Sequence, residues 1–166
     1  MTTKARKQGA ASKLPRGRET LTLLGSTHTD YPSDYTPGVL ECFENRHPDL
    51  DTMVSLLCPE FTTLCPITGQ PDFGELLIRY IPDKRLVESK SLKLYLFSFR
   101  NHGDFHEDVC NIILKDLRKL LSPKYIEIRG RFRPRGGIAI HPFVAWAPPT
   151  SRYASQVVDR LFEDAP

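Results

Sequence analysis

The chain has 166 residues, 40% of them hydrophobic and 26% charged, with a formal net charge of +3. That composition suits one globular domain whose core needs no disulfide or metal staples. It holds neither an apolar run near the roughly 18–20 residues of a membrane span nor an apolar stretch after its basic start, so a cytoplasmic protein with no membrane partner is expected.

The positive charge belongs to the start of the chain. Lys4, Arg6, Lys7, Lys13, Arg16 and Arg18 give residues 1–18 a charge of +6, and the remainder carries −3. Residues 1–20 read as a disordered basic tail and residues 21–166 as a single domain. The mildly acidic body gives no electrostatic case for binding nucleic acid.

Residues 25–48, rich in Thr, Pro, Asp and Tyr, predict an irregular entry segment. Residues 50–58 predict a strand, and Pro59, Pro66, Gly69 and Pro71 punctuate a loop over 59–72. A loop that long inside a compact domain points to function. A second strand is expected over 73–81, ended by Pro82 and Asp83. Leu92, Tyr95, Leu96 and Phe99 recur at helical spacing, so residues 89–100 predict a helix. In the next helix Asp104 is the expected N-cap, with Glu107 closing a capping box. Its expected apolar face is Phe105, Val109, Ile112, Ile113, Leu117, Leu120 and Leu121, and Ser122 and Pro123 stop it. Residues 125–133 and 138–144 predict two strands around the turn Pro134, Arg135, Gly136, Gly137. The order ββααββ is α+β: an antiparallel four-stranded sheet with two helices on one face. Tyr125, Ile128, Phe132, Phe143 and Trp146 are the expected apolar supply for the other face, available to a second subunit.

Three clusters carry polar chemistry. Cys65 and Asp72 share the predicted loop, which sets a thiol near a proton-transfer group; spacing alone fits a buried cysteine as well. His106 and Glu107 sit in the first turn of the second helix, where a capping box is the competing reading. Lys90 and Lys93, three apart beside Ser89 and Ser91, make a phosphate site at a helix start, or a solvated face with capping serines. No glycine-rich nucleotide fingerprint occurs. Cys42, Cys58 and Cys110 read as small buried hydrophobes, and no paired-ligand spacing supports a metal.

The segments CPITGQPD (Cys65 to Asp72), ESKSLKLY (Glu88 to Tyr95) and LFSFRNHGDFHED (ending at Asp108) occur in this order. Together they resemble the short, single-module form of the NADPH-dependent 7-cyano-7-deazaguanine reductases, the nitrile reductases of queuosine tRNA-modification biosynthesis. The resemblance runs from about Leu21 to Tyr153. It implies a tunnelling fold assembling into ring-shaped homo-oligomers, two rings stacked, with active sites between subunits. It implies reduction of a nitrile to 7-aminomethyl-7-deazaguanine with two NADPH per turnover and no metal. By position, Cys65 is the nucleophile that forms a covalent thioimide and Asp72 the proton donor. Glu107, helped by His106, is implied to hold the base, with Val87, Glu88 and Ser89 completing the pocket. Lys90 and Lys93 match the motif linked to NADPH; Arg135 joins them on charge alone. Direct tRNA binding is not expected.

Two other readings are set beside it. A zinc-dependent hydrolase resembling GTP cyclohydrolase would use Cys65, His102 and His106 as ligands. An oligomeric scaffold would touch RNA through its basic arm.

Overall fold

The computed structural model describes residues 21–23 and 29–163; the expected basic tail lies outside them. The chain runs through a short helical turn Pro37–Val39, then β1 (Cys42–Glu44), β2 (Val54–Leu64), β3 (Pro71–Ile81) and β4 (Arg85–Val87). Helix α1 (Ser89–Phe97) continues into a 3-10 turn Ser98–Asn101. Then follow α2 (His106–Leu121), β5 (Tyr125–Phe132), β6 (Phe143–Trp146) and α3 (Ala154–Glu163). The main sheet has the order β2-β3-β5-β6, antiparallel throughout, and β1 pairs with β4 in a separate two-stranded sheet.

The ββααββ core of the α+β expectation is present, with a small sheet and a third helix added. Among the described residues no helix is long and apolar enough to cross a membrane.

Alternation along β3 decides which face is buried. Asp72, Gly74, Leu76, Ile78 and Tyr80 all point to the helix side and are buried. From β5, Ile126, Ile128, Gly130 and Phe132 join them. Helix α2 meets this face with Val109, Cys110, Ile113, Leu114, Leu117 and Leu121, repeating at the helical period. Helix α1 adds Leu92 and Tyr95, followed by Phe99 in the next turn.

Four expectations need correction. The loop over 59–72 is mostly strand: β2 runs to Leu64 and β3 starts at Pro71, leaving only residues 65–70 as the turn. Pro59 is tolerated because β2 is an edge strand whose register slips between Cys58 and Phe61. The capping box does not form: α2 begins at His106, its N-cap Phe105 makes no side-chain cap, and Asp104 Oδ1 accepts from the Phe105 N–H instead. Phe105 is exposed rather than on the apolar face. Finally, Ile128 and Phe132 already fill the core beneath the helices. Tyr125, on the opposite parity, packs with Ile81 and Ala147 against Tyr153 and Val157, the latter in α3.

Candidate active site

The turn between β2 and β3 is closed by two hydrogen bonds, Cys65 N–H to Gln70 O and Gly69 N–H to Cys65 O, both 2.9 Å. Gly69 has φ +65°, a conformation that a side chain would strain. This closure curls the chain around the Cys65 sulfur. The Thr68 hydroxyl and the N–H groups of Thr68 and Ile67 hydrogen-bond to it, and Arg135 adds a further donor. Together they stabilise the thiolate and bring the thiol down to about 7. Cys58 and Cys110 move the other way, because burial disfavours their charged forms, and Cys110 reaches about 12.

The segment after α1 is stitched to the end of β2. Leu64 N–H donates to His102 O (3.0 Å), Asp104 N–H to Leu64 O (3.2 Å), and the Thr63 hydroxyl to His102 O (2.6 Å). This brings the start of α2 beside the Cys65 turn. His106 Nε2 lies 3.2 Å from Asp72 Oδ1 without hydrogen-bond alignment. The imidazole stacks on Phe132 with ring centroids 4.0 Å apart. Phe132 in turn lies in a slot between two glycines. A Cβ on Gly74 would stand 2.9 Å from its Cδ1, and one on Gly130 2.8 Å from its Cε2.

Asp72 is buried, and one of its oxygens takes both contacts: Arg135 Nη2 is 2.5 Å from Oδ1 and His106 Nε2 3.2 Å from it. Cys65, Asp72, His106 and Arg135 therefore form one cluster drawn from three separate segments. Glu107, next to His106, is exposed in the first turn of α2.

Val87, Glu88, Ser89, Lys90 and Lys93 stand elsewhere. The helical run from Ser89 to Asn101 covers about 20 Å at ordinary rises per residue, and they occupy its far end. Val87 is in the core. The Glu88 carboxylate is buried and caps α1, accepting from Lys90 N–H (2.8 Å) and Ser91 N–H (2.7 Å). The helix start therefore already holds an anion on its free N–H groups, so the phosphate site expected here would rest on the lysine ammoniums. Lys90 Nζ donates to Leu23 O, and Lys93 Nζ to the Tyr31 hydroxyl.

Ser89 and Lys93 line a groove of about 550 Å³ between α1 and the edge of β2, with Tyr31, Phe97 and Arg100. Its cations suit phosphate groups and its aromatic rings suit a flat heterocycle. The groove does not include Cys65 or Asp72.

Sequence reading missed Thr68, the Ile67 amide and Arg100. The Thr68-Gly69 pair, a turn signal, was the available clue to the first two. Among the described residues no three His, Cys, Asp or Glu side chains converge as metal ligands, so Cys65, His102 and His106 are not a zinc set.

The family model described as QueF-like protein matches residues 71–150. The NADPH-dependent 7-cyano-7-deazaguanine reductase of Neisseria gonorrhoeae is 59% identical over 143 residues, 86% of this chain and 91% of that protein. The protein of the same name from Neisseria meningitidis serogroup B is 60% identical over the same shares. That from Bacteroides fragilis is 59% identical over 144 residues, 87% of this chain and 95% of its own. The crystal structure of the archaeosine synthase QueF-Like in the apo form shares the fold: its TM-score is 0.55 at 19% identity, over 60% of this chain and 97% of that one. Identity of this extent, across nearly the full length of those relatives, means that the chain belongs to the family of NADPH-dependent 7-cyano-7-deazaguanine reductases.

Proposed function

We propose that this chain reduces the nitrile of 7-cyano-7-deazaguanine to the primary amine, 7-aminomethyl-7-deazaguanine, with NADPH. The observation that carries the chemistry is the convergence of a thiol with a near-neutral ionisation and a buried carboxylate ion-paired to an arginine. A nitrile carbon is a modest electrophile that suits a soft thiolate. Asp72 takes the Cys65 proton and delivers it to the nitrile nitrogen as the sulfur adds to carbon. The product is a thioimide with the carboxylate restored, so no proton is gained or lost. His106, stacked on Phe132, stands 3.2 Å from the same Asp72 oxygen that Arg135 meets.

Hydride, which no side chain supplies, is what the nicotinamide cofactor contributes when bound, two equivalents for each nitrile taken to amine. Lys93 and Arg100 in the groove, with Lys90 beside it, are the residues suited to hold its phosphates. Glu107, exposed in the first turn of α2, accepts from the N–H groups on the pyrimidine edge of the base.

A complete pocket takes two copies of the chain. Val87, Glu88 and Ser89 lie about 20 Å from the Cys65 cluster along one chain, and a neighbouring copy supplies them instead. Ile67, Phe105 and Ile138, exposed by 79%, 53% and 70%, flank Cys65, His106 and Arg135 as an apolar rim for that neighbour. Among the described residues β2, short of its stitched end at Leu64, and β6 are the edges of the main sheet, along which tunnelling-fold rings can close.

The test is intact mass after adding the nitrile base without NADPH. A covalent adduct is expected, absent in Cys65→Ala. No adduct on the wild-type chain, or one that survives the substitution, refutes the mechanism. Light scattering tests the assembly: a fully active monomer would rule it out.

A further inference from the structure

We propose that Arg135 is a positioning residue that locks the Cys65 turn and the Asp72 carboxylate into one geometry, a role that rests on Cys65 being the nucleophile. Its guanidinium reaches two segments at once. Nη2 is 2.5 Å from Asp72 Oδ1, 3.0 Å from Gln70 O and 3.5 Å from Pro71 O, and the same side chain is one of the influences that lower the Cys65 thiol. One nitrogen of the guanidinium meets three oxygens of this turn and strand, and the remaining donors of the same rigid plane stay available; a lysine ammonium is a point charge on a flexible stem.

The arginine is itself held. Arg135 and Ile138 exchange backbone hydrogen bonds of 3.0 Å in both directions, across Gly136 (φ +57°) and Gly137 (φ +85°). The β3–β5 ladder ends at the Gly74–Phe132 pair. Beyond it, Arg133 N–H to Phe73 O (2.9 Å) and then the Arg135 guanidinium continue the join as far as Asp72 and the catalytic turn. Sulfur and proton must meet adjacent atoms of one nitrile. Their relative placement is therefore part of the rate, and Arg135 is the side chain that joins the Asp72 carboxylate to the backbone of the Cys65 turn at Gln70.

The experiment compares wild type, Arg135→Gln and Arg135→Lys in the full-length protein. It reads binding of the nitrile base, the rate of cofactor-free adduct formation by intact mass, and the pH profile of Cys65 alkylation by iodoacetamide. In Arg135→Gln the base affinity stays within about threefold, whereas adduct formation slows roughly 100-fold, as for a reacting group displaced by about 1 Å. Its alkylation midpoint moves to higher pH. Arg135→Lys restores the midpoint in part but not the rate, and added methylguanidinium speeds Arg135→Gln while leaving wild type unchanged.

Equal adduct rates in Arg135→Gln and wild type overturn the proposal. So does a loss of base affinity as large as the loss of rate, which makes Arg135 a binding group. If the wild-type chain forms no adduct, the nucleophile assignment fails; an unchanged alkylation profile in Arg135→Gln then separately overturns the link between Arg135 and the thiol.

Discussion

Replacing Thr68 with valine removes the strongest single support of the Cys65 thiolate while keeping the side-chain shape. The thiol stands at about 7 against an ordinary 9.0, and the Thr68 hydroxyl is the largest of the influences that lower it. The amides of Thr68 and Ile67 and the Arg135 side chain remain in the variant. Its midpoint should therefore recover about half of the drop, to roughly 8. At pH 7 the thiolate fraction then falls from about one half to about one tenth, so iodoacetamide alkylation slows about fivefold. Well above the new midpoint the two proteins react at the same rate. The turn itself survives, because the backbone bonds between Cys65 and Gln70 and between Gly69 and Cys65 close it, and Thr68 Oγ1 contributes only a 3.4 Å contact with Gln70 N–H. Alkylation rates measured from pH 5 to 10, with Cys65 identified by peptide mass, give both midpoints. An unmoved midpoint, or a rate reduced equally at every pH, would refute the assignment of the hydroxyl as a thiolate donor.

Glu107→Ala should weaken binding of the nitrile base by at least tenfold, the loss of a charged hydrogen-bonding group, while size-exclusion chromatography shows an unchanged assembly. Glu88→Ala leaves two N–H groups at the start of α1 without their cap and should cost about 1–2 kcal/mol in urea denaturation. Gly130→Ala drives a methyl against Phe132 and the Cys110 sulfur; overpacking of about 1–3 kcal/mol is expected, with a lower thermal midpoint. Arg160→Met removes a charged partner of buried Glu127 and should cost about 2 kcal/mol at pH 7. Burial alone would raise the Glu127 carboxyl, but hydrogen bonds from Arg160 and Tyr125 and the charges of Arg160 and Arg79 hold it below its ordinary value. The stabilisation is therefore complete above an ordinary carboxylate value of 4.5 and is lost as pH falls through the lower folded value. The gap between Arg160→Met and wild type should close in that acidic window; a gap independent of pH would contradict the pairing.

The helical spacing of Leu92, Tyr95 and Phe99 and the α2 stripe were legible because each set serves the one buried face. The end of β2 was not, since Pro59 reads as a loop signal and only the edge position of the strand excuses it. Yet Phe61 and Thr63 alternate with Thr62 and Leu64 as a half-buried strand requires, and that signal was present. Helix α3 went unread although Val157, Val158, Leu161 and Phe162 share one helical face; of these Val157 packs against the body while Val158, Leu161 and Phe162 are exposed. In the site, Cys65, Asp72 and His106 were legible from their ordered motifs. Arg135 was singled out only for its charge, and no local pattern foretells that it meets Gln70, 65 residues earlier in the chain. Likewise nothing in ESKSLKLY says that Glu88 turns its carboxylate onto its own helix rather than outward.

The glycine slot around Phe132 makes the imidazole of His106 a reporter of how thick the core is. The ring that supports it lies over Gly130 of its own strand and Gly74 of the neighbouring one, so an added methyl at either pushes on the shelf under the imidazole. Mutations at Gly74, Gly130 and Cys110 should therefore register as losses of turnover at temperatures where the fold still holds. A survey of variants ranked by stability and one ranked by activity would converge on these positions, although all three lie in the core behind Phe132.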